Sequence, residues 1–261
     1  SRSDAQNRMY TAILPQIFKE YQYQQMPIGK MEVVMNFKPE TLRAYYKKWY
    51  RPDQQGIFIV GDFDADEMEK KVKDLFSSVV MPENAAPREY VVVSDNDKPI
   101  YVHFEDPELR NTTVMTFFKQ DKMPWDMRNS VEGYMTEALI QTVLVKMIQD
   151  RLDEYSTNPE CPYAAAQVMI DNFLVAATKD AFAIYVVPSG DILTAYNAAM
   201  SIVARACKTG FTQTELERAT SVLLNGYEKT FNEKDKTYNS TYARELISHF
   251  IDNEPTPGIE T

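Results

Sequence analysis

The stretch LRAYYKKWYRPDQQGIFIVGDF, residues 42–63, decides how this chain is read. Its first half belongs to a helix expected over residues 39–50, opened by Pro39, which loses no helical hydrogen bond at the first turn. Arg51-Pro52-Asp53 ends it as a turn. Residues 56–61 are a short apolar run between two glycines, the pattern of a buried strand. Asp62 and Asp64 lead into a second helix over residues 65–76. Met68, Val72, Leu75 and Phe76 share one face of it. Acidic residues at its start and lysines further on suit the helix dipole. Together these elements make an α/β block over residues 9–80.

Outward from this block the chain changes character. Residues 81–87, MPENAAP, hold two prolines and no periodicity, so a linker is placed at residues 83–89. A first unit then covers residues 1–82 and a second covers 90–261. In the second unit, strands are expected at 100–104 and 112–118, with Asp106-Pro107 in the turn between them. A long helix is expected over 125–155, where Leu139, Val143 and Met147 step by four. Three strands follow, at 164–170, 173–178 and 181–187, with hairpin turns at Asp171-Asn172 and Lys179-Asp180. Asp191 opens a helix with Ile192, Tyr196, Ala199, Val203 and Ala206 on its apolar face, and Gly210 closes it. Thr212-Gln213-Thr214-Glu215 is a capping box for the next helix, to about Glu228. A last helical segment spans 238–250. Strands followed by helices indicate the α+β class, with a largely antiparallel sheet covered by helices.

Composition excludes several function classes. The net charge of -10 repels an anionic backbone and disfavours nucleic acid as a partner. No run approaches the roughly 18 apolar residues of a membrane span. The polar opening, residues 1–6, has no basic segment followed by an apolar one, so no signal peptide is visible; it reads equally as a cloning scar, a cut within a longer protein or a natural start. Two cysteines, Cys161 and Cys207, cannot build a disulfide framework. Cys207 is expected as a buried free thiol on an apolar helix face.

A search for reaction centres ends without one. The two histidines, His103 and His249, stand far apart in sequence and form no H-x-x-E-H or H-E-x-x-H motif. His103 falls in an alternating strand and His249 late in a helix, so both read as structural or surface residues. G-x-S-x-G, G-x-x-x-x-G-K-[ST] and G-x-G-x-x-G are all absent from the sequence. Asp62, Asp64, Asp66 and Glu67 begin like a calcium loop but lack its sixth-position glycine and twelfth-position glutamate. They read as an acidic helix start. Tyr45, Tyr46, Trp49 and Tyr50 read as a packed helix whose phenol tips reach water. Asn111-Thr112-Thr113 and Asn239-Ser240-Thr241 match the glycosylation sequon. No catalytic or metal-binding residue is assigned, and substrate contacts stay unassigned.

Pro27-Ile28-Gly29, then residues 42–53, then residues 57–63 resemble the M16 (pitrilysin/insulinase) zinc metallopeptidases. The helix over 65–76, the strand at Thr112, the long helix to Tyr155, the Ala-Ala-Ala-Gln-Val strand and the turn at residues 210–216 continue the likeness over roughly residues 27–258. One departure is Gln25 ahead of Met26-Pro27, where many members carry arginine nearby. The resemblance implies repeated α/β units of the kind also found in mitochondrial processing peptidase. It implies a zinc held by an H-x-x-E-H helix and a distant glutamate in the first unit, and a second unit without metal ligands that helps enclose an unfolded peptide.

On that likeness residues 1–82 are the end of a first unit lacking its zinc motif, and 90–261 are the inactive second unit. The chain by itself is then expected to bind no zinc and cleave nothing, zinc belonging to the parent protein. Its partners would be an N-terminal catalytic unit, further C-terminal units and a peptide substrate. The alternative is a zinc-free scaffold subunit of the same fold. A free-standing peptide-binding protein is a third reading. Arg51, Pro52 and Asp53 match a family signature and read as turn and packing residues. A unit lacking half its partners should expose apolar surface, so that the isolated chain dimerises or leaves residues 9–30 out of their native position. The look of the family points to the periplasm of a bacterium.

Overall fold

The computed structural model describes residues 4–259; the chain-end residues 1–3 and 260–261 of the two expected units lie outside it. Helix α1 is Ala5–Ile17, capped by the Asp4 side chain, which accepts from the Asn7 amide at 2.9 Å. Then come α2 (Met31–Asn36), α3 (Pro39–Trp49) and α4 (Ala65–Phe76). Strand β1 is Val114–Asp121. It is followed by α5 (Trp125–Arg128), α6 (Val131–Tyr134), a π-helical stretch (Met135–Gln141) and α7 (Thr142–Ser156). Strands β2 (Tyr163–Asn172) and β3 (Lys179–Pro188) precede α8 (Ile192–Thr209), α9 (Gln213–Asn232) and α10 (Asn239–Asp252).

Among the described residues there is one sheet, antiparallel, in the order β1-β3-β2. Val114 lies opposite Val186 and Asp121 opposite Lys179; on the other side Ala166 lies opposite Val186 and Asn172 opposite Asp180. The main core fills the space between this sheet and two helices. Ile148 and Leu152 of α7, Val168 of β2, Ile184 and Val186 of β3, and Ile202 and Val203 of α8 are buried together. Full burial of each such aliphatic side chain stabilises the fold by about 1.5–3 kcal/mol. Alanines at 195, 199 and 206 let α8 approach the sheet closely. The class expected from sequence, α+β with an antiparallel sheet under helices, is what forms.

A second, smaller core belongs to α1. Leu14 and Phe18 pack with Val93, Phe173, Ala176 and Ala181, and Leu14 is fully buried. Residues 9–30 are thereby anchored at Leu14 and Phe18 on the second block. Arg8 adds a bidentate ion pair to Asp106, at 2.7 and 2.8 Å.

Several elements differ from expectation. The three strands expected between 164 and 187 are two. Residues 173–178 are the loop joining them, with Leu174 at φ 54° and the Ala176 amide donating to Phe173 O at 2.9 Å. Their apolarity reflects burial of Phe173 and Ala176 in the second core and not ladder pairing. The single helix over 125–155 is broken at Asn129-Ser130. Ser130 caps α6 by accepting from the Gly133 amide, and a Cβ at Gly133 would stand 2.2 Å from Met127 O. A side chain at that close approach would force α5 and α6 apart.

Residues 56–61 and 100–104 join no sheet, because a strand also needs a neighbour for its main chain and these have none among the described residues. Alternation survives at 100–104, with Val102 and Phe104 half-buried and Tyr101 and His103 exposed. Cys207, expected buried, is exposed: it follows Ala206 by one residue, about 100° round the helix from the buried stripe.

The C-terminal end of α10 is fastened to α5 through Arg128. The Arg128 side chain is buried, and its Nη1 donates to Asp252 O at 2.6 Å. Glu137, Asp252 and Glu254 place carboxylates 3.5–3.8 Å from the guanidinium. Asn253, in the left-handed region at φ 55°, donates to Trp125 O at 2.6 Å.

Candidate functional site

Two surfaces stand out among the described residues. The first is the face of residues 19–92. Over this span the described residues contain one buried side chain, Arg51. Helix α4 carries the amphipathic pattern read from sequence, yet Leu75 is 73% exposed; Val80, just beyond it, is 77% exposed. Helix α3 has no buried residue either; Tyr45, Tyr46 and Tyr50 are open to solvent, and the Tyr46 and Tyr50 rings stack at 4.7 Å. That corrects the packed helix expected there. Its apolar stripe has nothing beneath it within the described residues. The run at 56–61 touches α10 through Phe58, whose ring lies 5.7 Å from Phe250, while Ile57 and Ile59 stay exposed. Exposed Val33, Met35, Phe37 and Leu42 extend the same kind of surface into α2 and α3. Contiguous apolar exposure of this sort marks an interaction surface.

Arg51 shows what local order the span keeps. Its Nε and Nη2 donate to the two Asp53 oxygens at 3.0 and 2.9 Å, closing the Pro52–Gln54 turn. Its Nη1 and Gln54 Nε2 are buried without a hydrogen-bond partner. The turn-and-packing role read from sequence is the geometry found.

The second surface is the outer edge of β2. Strand β3 occupies one side of β2, and α7 packs against β2. Gln149 of α7 reaches this edge: its Nε2 donates to Ala166 O at 2.9 Å, and its Oε1 accepts from the Val168 amide at 3.0 Å. Beside it is an open groove of about 600 Å³ lined by Thr142, Val145, Lys146, Gln149, residues 165–168 and Leu223. Nothing in the sequence singles out Gln149, a mid-helix polar residue whose role appears only once the strand order is known.

The remaining candidates are dispersed. His103 is exposed, with Nε2 3.4 Å from Glu105. His249, in the last turn of α10, has Nδ1 2.7 Å from Glu254 O. Asp64 is the N-cap of α4, accepting from the Glu67 amide at 2.9 Å. Asn111 and Asn239 of the two sequons are exposed. Among the described residues no group of three or more histidine, cysteine, aspartate or glutamate side chains is placed to hold a metal ion. Among them, too, no helix is long and apolar enough to cross a membrane.

Comparison with known proteins adds a family. The model of the peptidase M16 inactive domain matches residues 36–223. A zinc protease PQQL-like protein of Arabidopsis thaliana is 22% identical over 238 residues, covering 91% of this chain and 21% of the relative. A probable zinc protease PqqL of Escherichia coli (strain K12) is 22% identical over 229 residues, covering 88% of this chain and 24% of the relative. The chain thus spans between a fifth and a quarter of the length of these curated relatives. The crystal structure of the periplasmic protease PqqL from Escherichia coli superposes on all of it, with a TM-score of 0.81 and 20% identity, over 28% of that protein. This likeness shows a shared fold.

Proposed function

The chain belongs to the peptidase M16 inactive-domain family, and from that membership we propose that it is a non-catalytic section of a zinc metalloendopeptidase. It buttresses the catalytic unit and forms part of the wall around the peptide. Residues 1–82 complete the zinc-bearing unit, residues 83–89 link, and residues 90–261 are the inactive unit. Zinc belongs to the parent protein, which works in the periplasm of a bacterium.

The observation that carries this reading is the face of residues 19–92. Two amphipathic helices and a strand-like run are folded locally without an interior of their own. Their apolar sides are the sides a partner would cover, and the occupant proposed is the remainder of the same unit. Residues 56–61 would then lie in its sheet; the apolar pattern of their sequence supports this. Similar proteins are several times longer than this chain, which leaves room for such a partner.

The test is to purify the chain alone and together with the zinc-binding unit of its parent. Co-purification, loss of hydrophobic-dye binding and zinc-dependent cleavage of an unfolded peptide only in the combined sample are expected. Cleavage by the chain alone, or no association, sinks the proposal. Association without cleavage, and without zinc, would select the scaffold reading.

A further inference from the structure

We propose that the end of α10 is a clasp that tightens as its surroundings turn acidic and loosens as they turn alkaline. No side chain of α10 is fully buried, so no deep apolar anchor holds the helix. Two neutral contacts touch its C-terminal end: the Phe250 ring against Phe58, and Asn253, which donates to Trp125 O. Charged groups make the others described there. Arg128 donates one hydrogen bond, from Nη1 to Asp252 O, while its Nε is buried without a hydrogen-bond partner. The Asp252 and Glu254 carboxylates stand 3.5 Å from the guanidinium, farther than in a tight charge-assisted hydrogen bond. Attraction across such a gap depends on the net charge around it.

The seat that receives α10 collects charge from several elements. Arg128 comes from α5, Glu137 from the π-helical stretch, Asp171 from β2 and Asp180 from β3. Lys122 follows β1; its Nζ donates to Asn172 Oδ1 at 2.7 Å and lies 4.0 Å from Asp252. With all of these ionised, three carboxylates face two cations, and the seat is negative by one charge. Helix α10 brings two more carboxylates, Asp252 and Glu254, and its His249 ring sets Nδ1 2.7 Å from Glu254 O. Two carboxyls of the seat are poised to change this balance. Burial holds Glu137 above its ordinary 4.5, against Arg128, and the Asp180 and Glu254 charges push it the same way. Burial holds Asp180 above 3.8, against Lys122 and Arg128, with Asp171 and Asp252 adding to the rise. Each is thus raised in part by a carboxylate at the end of α10, so docking of that end makes each hold its proton more tightly. By linkage, protons taken up at the seat favour docking. With both carboxyls neutral the seat is positive by one charge and attracts the acidic end it had repelled. The clasp therefore tightens as pH falls from neutral toward the ordinary carboxylate range, and the gain is lost as pH rises through the raised values. Release would part Phe250 from Phe58, so the clasp also governs how α10 holds residues 56–61. None of this depends on the function proposed above.

Hydrogen exchange read by mass spectrometry on the full chain, between about pH 7.5 and about pH 5, tests the clasp. Protection of α10 is divided by that of α8 in the same sample, which cancels the pH dependence of chemical exchange. In the unsubstituted chain the ratio should rise at least about threefold on acidification. Glu137→Gln combined with Asp180→Asn makes both seat positions neutral at every pH, and the ratio should be high and level. Asp252→Asn combined with Glu254→Gln removes the charge α10 brings, and the response should vanish. These two side chains are partly exposed, so the second variant decides the matter should the first fail to fold. His249→Gln should keep the response, which separates the carboxyls from the imidazole. A ratio that stays level or falls on acidification of the unsubstituted chain overturns the proposal. So does a response that persists in D252N/E254Q or in E137Q/D180N, or one that disappears in H249Q.

Discussion

Arg151 of α7 grips Glu215 of α9 with two hydrogen bonds, Nε to Oε1 at 2.6 Å and Nη2 to Oε2 at 3.0 Å. The same guanidinium donates to Gly210 O at 2.8 Å and lies 4.5 Å from the Phe211 ring centre. Glu215 in turn accepts from the Thr212 amide at 2.7 Å, closing the capping box that opens α9. One carboxylate thus both starts a helix and ties it to its neighbour. The Arg151 guanidinium, with the Thr212 amide, holds its carboxyl at about 2, below the ordinary 4.5. A depressed carboxyl contributes stability that is present above 4.5 and lost as pH falls toward 2. Glu215→Gln should cost about 1–2 kcal/mol at pH 7 in urea unfolding. The gap from the parent chain should close near pH 2; a gap constant with pH would refute the ion pair's part.

Gly210 ends α8 at φ 69°, ψ -153°, a region that side-chain-bearing residues scarcely visit. A Cβ there meets no atom within 4 Å, so the obstacle is backbone strain and not crowding. Gly210→Ala should destabilise by about 1–3 kcal/mol, with the far-ultraviolet spectrum unchanged. Chemical denaturation measures it, and an unchanged midpoint would contradict the strain.

Leu14 sits fully buried in the smaller core. Truncation to alanine should cost about 2–5 kcal/mol of α1 docking. Limited proteolysis reads it directly: residues 19–30 should be cut faster in Leu14→Ala, while β2 and β3 keep their protection from hydrogen exchange. Equal cleavage of both proteins would show that α1 is held by something else.

Burial raises the Asp180 carboxyl above its ordinary 3.8, against the pull of Lys122 and Arg128. A raised carboxyl is disfavoured in the fold when ionised, a cost present above the folded value and absent below 3.8. Asp180→Asn should therefore raise the melting temperature at pH 7 and lose that advantage as the solution is acidified below 3.8. Thermal melts across this range decide it; a lower melting temperature at pH 7 would mean that the attraction to Lys122 and Arg128 outweighs burial.

Local signals carried much of the fold. The capping box at Thr212, the glycine stop at 210, the proline start at 39 and the apolar stripe of α8 depend on residues a few positions apart, and each reappears in three dimensions. Signals that depend on a distant partner did not transfer. Ile57 and Ile59 look like a buried strand, but within the described residues they are exposed and paired in no sheet. Phe173 and Ala176 look like a strand because they are apolar, and they are apolar because α1 rests on them. Gln149 shows the opposite failure: its contacts with Ala166 and Val168 follow from strand order, which no short window of sequence contains.

Because α1 rests against Val93, Phe173, Ala176 and Ala181, the first helix of the chain is stitched to material more than seventy residues downstream. A protease nick between residues 83 and 89 would then sever the polypeptide without parting it. The released amino-terminal piece would remain clasped to the remainder by Leu14, Phe18 and the Arg8–Asp106 pair, and both fragments would elute together until a denaturant loosened the grip.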